Sequence, residues 1–304
     1  MEDEKPVEVW TGSTNFTESG IFGQSNVGHV VRDPDVAKMY LGYWTRLHGD
    51  PALREIRSSN EKANTNIESH PPPSGVSPIF SPRQGLEMLQ WYSDAMDTAL
   101  HEMCFTAAFG INKVFYQVLQ KQSKGLNYIF LDKWSVRKAD ATKVQKMLAH
   151  DIYNQVAVGN YLGDDALINY VEDRWAKETF NPLSKNVRYV HSKYMLVDPL
   201  GDHPLVITGS ANFSDASTHY NDENMVVIQD DKRVADIYLG EFMRLWQHYR
   251  FRYVENAVAE SGRKSDYKPN YLCETDDWVP PYYKKNSVKC RKREAFSGPQ
   301  SVNR

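Results

Sequence analysis

Three side chains with the spacing His-x-Lys-x4-Asp are the strongest candidates for chemistry in this sequence: His191, Lys193 and Asp198. A neutral imidazole is a nucleophile near pH 7, because an unperturbed histidine titrates near pH ~6.5. The lysine two residues away adds a positive charge. Such a pair suits attack on an anionic, tetrahedral centre such as a phosphodiester. The motif has no acidic cluster beside it that could hold a metal, so we expect neither a metal nor another cofactor.

The residues around this motif predict a buried strand. Residues 190–197 are apolar and bulky around two polar positions, which is typical of a strand inside a sheet. Side chains of a strand alternate between its faces, so His191 and Lys193 should point the same way. Asp198 has the opposite parity and is predicted to have a structural role at the strand end.

A second predicted strand, residues 205–208, leads into the turn Gly209-Ser210-Ala211-Asn212. The glycine lets the backbone turn sharply, and Ser210 and Asn212 can offer hydrogen bonds there. His-x-Lys-x4-Asp followed by Gly-Ser-x-Asn resembles the signature of the phospholipase D superfamily.

The resemblance implies a role for each matching residue. In that family the histidine attacks phosphorus and forms a phosphohistidine, while the lysine, serine and asparagine hold the phosphate oxygens. A glutamate thirteen residues after the serine often orients the histidine, and here that position is Glu223. The catalytic set implied is His191, Lys193, Asp198 and Glu223, and the phosphate contacts come from Lys193, Ser210 and Asn212. We expect Glu223 to accept a hydrogen bond from the His191 ring.

The sequence also contains an internal repeat with a period near 197 residues. Thr11-Gly12-Ser13 matches Thr208-Gly209-Ser210, and Asn15 matches Asn212, so Ser13 and Asn15 join the predicted phosphate-binding set. The histidine and lysine of the first copy would precede residue 1, and Ser25 or Asn26 stands near the equivalent of Glu223. The chain is therefore predicted to begin inside the first repeat. It could be a fragment, a half-site protein that works as a dimer, or a pseudoenzyme.

The fold class expected from the resemblance is α/β: a phospholipase D-like α/β/α sandwich of two pseudo-symmetric repeats, the first one truncated. Residues 33–47 are predicted to form a helix. Alternating strand and helix patterns between residues 77 and 179, which include a strand at 126–131 and a helix at 166–177, indicate largely parallel strands. Four regions are predicted. They are a remnant of the first repeat (1–57), a Pro/Ser-rich linker (58–77), a complete second repeat (78–255) and an aromatic and basic tail (256–304).

Composition sets limits on the partners. A formal net charge of −3 over 304 residues gives no general affinity for nucleic acid or anionic membranes. The three cysteines are widely spaced and without a metal-ligand pattern, which favours reduced thiols and a cytoplasmic location. No apolar run approaches the ~20 residues of a membrane span.

The function expected from the resemblance is a phosphodiesterase of the phospholipase D type that acts through a phosphohistidine. A phospholipid is the preferred substrate, and activity is predicted to be impaired because only one His-x-Lys is present. The alternatives are a metal-independent nuclease of the same superfamily and a non-catalytic binding protein. Aromatic residues interleaved with basic ones after residue 262 favour a tail that lies over the core through its aromatics, and the alternative is binding to nucleic acid or, as a peripheral membrane contact, to anionic lipid headgroups. The oligomeric state stays open.

Overall fold

The computed structural model describes residues 5–63, 72, 74–134, 138–159, 189–260 and 273–297. The strands are β1 Val9–Gly12, β2 Gln24–Ser25, β3 Gly28–Val31, β4 Gly75–Phe80, β5 Glu102–Ala107, β6 Leu126–Leu131, β7 Asn154–Val158, β8 Tyr189–Val190, β9 Tyr194–Val197, β10 Leu205–Gly209 and β11 Asn224–Gln229. The α-helices are α1 Glu18–Phe22, α2 Pro34–His48, α3 Leu53–Ala63, α4 Glu87–Asp97, α5 Tyr116–Gln120, α6 Lys138–Ala149, α7 Asp215–His219, α8 Lys232–Glu260 and α9 Val288–Phe296. Short 3₁₀ turns lie at Lys113–Phe115 and Pro280–Tyr282.

Seven of these strands form one mixed sheet in the order β4-β11-β10-β9-β5-β6-β7. The expectation of largely parallel strands, which concerned residues 77–179, is confirmed for the pairings among β5, β6 and β7 but does not describe the whole sheet. Only β5, β6 and β7 run parallel, whereas every pairing from β4 through β11, β10 and β9 to β5 is antiparallel. The connection from β9 to β10, residues 198–204, is short, whereas a parallel crossover needs a dozen or more residues.

Helices cover both faces of the sheet, which gives the α/β/α layering that the sequence predicts. Alternate residues of each strand enter opposite cores, because side chains of a strand alternate. On β5, Phe105 packs into one core with helices α4, α5 and α6. Cys104 packs into the other with Phe242 and Trp246 of helix α8. Burial on both faces explains why the central strands are almost continuously apolar.

The first sixty residues form a smaller unit beside this sheet. Strands β1 and β3 make an antiparallel pair, in which Val9 lies opposite Val31. Strands β10 and β11 have the same register, since Val206 lies opposite Ile228 and both partners stand 197 positions further along the chain. Strand β2 pairs in parallel with β8, which attaches this unit to the strand just before His191.

The predicted linker 58–77 is partly wrong, because regular structure occupies both of its ends. Helix α3 continues to Ala63, and β4 begins at Gly75. Asn60 is fully buried on this helix, where its Oδ1 accepts a hydrogen bond from Arg46 and its Nδ2 donates one to Pro82. A polar helix with two buried residues has too weak an apolar stripe to be recognised from its sequence.

The C-terminal region packs over the core, which is the interpretation that its aromatic and basic residues favour. Helix α8 extends to Glu260, and α9 packs against the sheet. The Lys292 ammonium lies 5.8 Å from the ring centroid of Tyr128 and 5.5 Å from that of Trp246, so these basic residues contact aromatic ones of the core. A helix predicted over 166–177 lies outside the described residues.

Within the described part of the chain, the helices include none with the length and apolarity that a membrane span requires. The cysteines Cys104, Cys273 and Cys290 are free thiols.

Candidate active site

The predicted strand around the His-x-Lys motif is interrupted at the motif itself. β8 ends at Val190 and β9 begins at Tyr194, so His191 and Lys193 lie in a short non-strand segment. The backbone N–H of His191 donates to Ser25 Oγ at 3.2 Å, and the hydroxyls of Ser192 and Ser25 are 3.0 Å apart. These contacts extend the β2–β8 pairing and place the motif against the N-terminal unit.

The imidazole of His191 contacts Asn26, the residue directly after Ser25. Its Nδ1 lies 2.9 Å from Asn26 Oδ1. Burial, and secondly the charge of Lys193, lower the pKa of His191 to about 4. The ring is therefore neutral near pH 7, as a nitrogen nucleophile must be.

The expected contact between Glu223 and the His191 ring is wrong, since Asn26 occupies that place at Nδ1. The reason is the β2–β8 pairing, which brings the N-terminal unit to the ring. Asn26 follows Ser13 by thirteen residues, as Glu223 follows Ser210. The spacing was therefore visible in the sequence, but which copy reaches the ring was not.

Glu223 belongs to the neighbourhood of Lys193 instead. Burial raises the pKa of Glu223, while hydrogen bonds from Ser210 and Asn221 and the charge of Lys193 lower it. Its backbone carbonyl accepts hydrogen bonds from the Ser81 N–H at 2.9 Å and from the Tyr43 hydroxyl at 3.3 Å. The carboxylate is thus available to balance the lysine.

Lys193 is almost fully buried, with 2% of its surface exposed. Its ammonium donates to the carbonyl of His191 at 2.6 Å. Burial lowers the pKa of Lys193 to about 7, and the charge of Glu223 opposes that shift. A bound phosphate would supply the missing negative charge and favour the protonated lysine.

The Gly-Ser turn at the end of β10 has the predicted shape. A Cβ on Gly209 would overlap the carbonyl oxygen of Asn224, so only glycine fits there. Ser210 Oγ accepts from the Asn224 N–H at 3.0 Å. Ser13 Oγ accepts from the Val27 N–H at the same 3.0 Å, so the two copies of the motif share this contact.

The other predicted phosphate contacts differ in their accessibility. Asn212 Oδ1 is buried without a hydrogen-bond partner among the described residues, although its backbone N–H donates to Ser217 Oγ at 3.1 Å. Ser13 is 4% exposed, whereas Asn15 lies on the surface. An amide oxygen only accepts hydrogen bonds, so this atom can pair with a donor group of a ligand, whereas a phosphate oxygen would have to accept from Asn212 Nδ2.

Asp198 is not part of this set, although the signature implies a catalytic role. It follows β9 at the end remote from His191 and has a φ of 44°. Its carboxylate accepts from the backbone N–H groups of Leu100, His101 and Glu102 at 2.8, 2.7 and 3.0 Å. These contacts tie β9 to the start of β5, in agreement with the role that strand parity predicts.

A hydrogen-bonded group that the sequence did not reveal joins the N-terminal unit to β11. Asn224 Oδ1 accepts from Thr11 Oγ1 at 2.8 Å and from the Tyr40 hydroxyl at 2.7 Å. Thr208 and Tyr238 make the equivalent hydroxyl pair in the second copy, at 3.3 Å. The repeat alignment paired these tyrosines, but nothing in it indicated that one would cross to the other copy.

A cavity of about 260 Å³ opens beside Lys193 and Asn212. Its walls combine polar and apolar groups, and the aromatic side chains of Phe109, Trp134 and Phe213 are among them. Among the residues that the structure describes, no three His, Cys, Asp or Glu side chains are grouped to hold a metal ion. Lys193 and Asn212 line this cavity, and the neutral imidazole of His191 stands two residues before Lys193 in the chain.

Comparison with known proteins supports this interpretation of the residues. Residues 129–246 match a family model described as "Cardiolipin synthase, PLD-like domain". A segment of 61 residues is 41% identical to a mitochondrial cardiolipin hydrolase of Xenopus tropicalis and covers 20% of this chain and 27% of that relative. The human protein of the same name is 34% identical over 61 residues, which cover 20% of this chain and 22% of the human one. The chain thus aligns with about a quarter of the length of these relatives.

Among solved structures, a phospholipase D family member from Salmonella typhimurium, Nuc, superposes with a TM-score of 0.40 and 19% identity. The superposition covers 57% of this chain and 93% of the Salmonella protein. The motif residues and the family-model match show that residues 129–246 of this chain are similar to a phospholipase D-like domain.

Proposed function

We propose that this chain is a phosphodiesterase of the phospholipase D type in which His191 is the nucleophile. The observation that carries the proposal is a neutral imidazole two residues from a buried lysine that lines a cavity. Burial strengthens the attraction between that cation and a phosphate, because the local dielectric constant is low. Asn212 lines the same cavity with a neutral amide, and Ser210 precedes it by two residues in the turn after β10.

The proposed reaction has two steps. In the first, the Nε2 lone pair of His191 forms a P–N bond while the P–O bond to the leaving group breaks, which gives a phosphohistidine and an oxyanion. In the second, water attacks phosphorus and the P–N bond breaks, so the imidazole is released and the proton of the water passes to solvent. Lys193 would hold a phosphate oxygen in both steps, since its charge stabilises the negative charge of the transition state.

A phospholipid is the substrate that we favour. The names of the matched relatives support it, since they are cardiolipin hydrolases. So does a group of exposed apolar side chains near Ser13. Phe16 is 81% exposed, Phe22 60% and Ile21 54%. Contiguous exposed apolar residues are typical of surfaces that meet a membrane or another protein. A peripheral membrane contact at this segment is part of the proposal.

We further propose that this chain alone turns over lipid poorly. The sequence contains one His-x-Lys, and the alkoxide released from a lipid needs a proton from an acid such as a second histidine. A nitrophenolate leaving group needs no proton, since its negative charge is delocalised over the ring. Comparing activity on a nitrophenyl ester with activity on a lipid therefore distinguishes nucleophilic attack, which both substrates need, from acid catalysis, which only the lipid needs.

The test is a stopped-flow assay of residues 1–304 with bis-p-nitrophenyl phosphate. We expect a burst of one nitrophenolate per chain, followed by slow release, and no burst for His191→Ala. His203→Ala is the matched control, because this histidine is exposed and paired with Asp230 on the surface. A full burst in His191→Ala would exclude His191 as the nucleophile. Acid-labile, base-stable labelling of His191 should accompany the burst.

A nuclease of the same superfamily is the second candidate. Phe109, which is 50% exposed, and Trp134 lie at the cavity and could stack on a base. Cleavage of single-stranded oligonucleotides in preference to cardiolipin vesicles would support it. If neither substrate nor nitrophenyl ester reacts but vanadate binds near Lys193, the chain is a non-catalytic binding protein.

A further inference from the structure

Asn26 has an amide whose orientation is fixed by its neighbours. Its Nδ2 donates to the carbonyl oxygen of Gly20 at 2.9 Å. Its Oδ1 accepts from Ser13 Oγ at 3.0 Å and lies 2.9 Å from His191 Nδ1. A flipped amide would put Oδ1 against the Gly20 carbonyl, where two acceptors would repel each other. The oxygen therefore faces the imidazole.

The orientation of this amide determines the tautomer of His191. A carboxamide oxygen only accepts hydrogen bonds, so the ring nitrogen beside it must carry a proton. The proton of the neutral ring then lies on Nδ1, and Nε2 has the free lone pair. Nε2 is the nitrogen that the proposed attack on phosphorus uses.

The backbone on both sides of this contact is held in place. Strand β2 pairs with β8 through Gln24 and Ser25, and the His191 N–H donates to Ser25 Oγ. Asp132 accepts a hydrogen bond from the N–H of Val190 at 3.0 Å. The distance between Asn26 and the ring is thus set by paired strands on each side.

An amide at this place has a different effect from a carboxylate. A carboxylate would stabilise the imidazolium and raise its pKa, whereas a neutral amide orients the ring without adding a charge. Among the charged groups near the ring, the Lys193 ammonium disfavours protonation. Glu223 acts on Lys193, and the Asp132 carboxylate is engaged by Val190. These surroundings favour the neutral imidazole over the imidazolium.

We infer that Asn26 is a positioning residue that holds His191 with its proton on Nδ1 and thereby assigns it the role of nucleophile rather than of acid. The chemical role rests on the proposed function. The tautomer does not, and it can be measured in an inactive protein. Glu223, at the equivalent position of the other copy, carries a charge, so the two positions differ in what they would do to a histidine.

The direct test is nitrogen NMR of the full chain with ¹⁵N-labelled histidine, which reports the tautomer and the pKa of each ring. We expect the protonated nitrogen of neutral His191 to be Nδ1. In Asn26→Asp the added carboxylate should raise the pKa of His191 by about 1–3 units. The pH at which the nitrophenolate burst reaches half its maximum should rise by the same amount.

The controls separate this effect from a general change in charge or folding. Gln90→Glu adds the same charge on the exposed face of α4 and should leave the His191 resonances in place. Asn26→Ala should shift the tautomer toward Nε2–H while thermal unfolding confirms a folded chain. If a variant fails to fold, the tautomer of His191 in the unaltered protein still tests the inference.

Two results would overturn the inference. One is a proton on Nε2 in the unaltered chain, and the other is a His191 pKa in folded Asn26→Asp that equals the value in Gln90→Glu. An Nδ1–H tautomer in a chain that gives no nitrophenolate burst would leave the positioning intact and refute the proposed function.

Discussion

Asp198 offers the sharpest distinction between a structural and a catalytic role. Its carboxylate accepts three backbone N–H groups, from Leu100, His101 and Glu102, at 2.7–3.0 Å. Asp198→Ala leaves these donors without their partner and destabilises the junction of β9 with β5. The change should appear as a loss of stability, with the remaining folded protein still able to release nitrophenolate.

The magnitude follows from the contacts. A hydrogen bond to a charged group contributes about 1.5–3 kcal/mol, and three that share one partly exposed carboxylate are not additive, so about 3–5 kcal/mol is expected. The left-handed φ of 44° costs alanine roughly 1 kcal/mol more. This loss is a large part of the ~5–15 kcal/mol that stabilises a typical domain. Asp198→Asn should lose about half as much, because it keeps one acceptor and tolerates that φ.

The assay is urea unfolding followed by the fluorescence of the seven tryptophans. Asp50→Ala is the matched control, since Asp50 has the same φ of 44° at an exposed turn and isolates the backbone contribution. The reasoning fails if Asp198→Ala unfolds at the same urea concentration as Asp50→Ala. Loss of the burst at unchanged stability would instead place Asp198 in the chemistry.

Two further predictions concern stability. Burial raises the pKa of Glu102 from 4.5 to about 7, so the folded chain holds this proton more tightly and stability falls as the pH rises between those values. Glu102→Gln should remove the slope and add about 3 kcal/mol at pH 8, measured by urea unfolding at pH 5 and 8. Gly209→Ala should cost about 1–3 kcal/mol through its overlap with Asn224. Gly240→Ala, with open space around it on helix α8, should gain up to ~1 kcal/mol, and equal melting temperatures would contradict both expectations.

The sequence predicted those elements whose apolar pattern is strong. Strand β6 was predicted at 126–131 and is observed there, and β10 is one residue longer than predicted. Helix α2 was predicted at 33–47 and spans 34–48. These segments bury a continuous face, so their own residues determine their conformation. Strand direction is different, because it depends on which distant strands pair.

In the site, too, features that depend on local residues were predicted, whereas features that depend on distant strand pairing were not. Local spacing predicted the glycine turn after β10, because that turn depends on the residues at the end of its own strand. The partner of His191 depends on the β2–β8 pairing, two strands of two residues each and 165 positions apart. Such a short pairing has no signature of its own. Asn26 nevertheless stands at the position of the first copy that corresponds to Glu223, and the repeat spacing is the sequence signal that identifies it.

The two copies of the motif differ in charge at equivalent positions, where one has the neutral amide of Asn26 and the other the carboxylate of Glu223. Two identical half-sites would accept a diester in either of two opposite directions, since turning it end for end would exchange equal surroundings. A neutral amide on one side and a carboxylate on the other remove that equivalence. We therefore expect a diester with two different ends to bind in one preferred direction, so that the same one of its two ester bonds is always presented for cleavage.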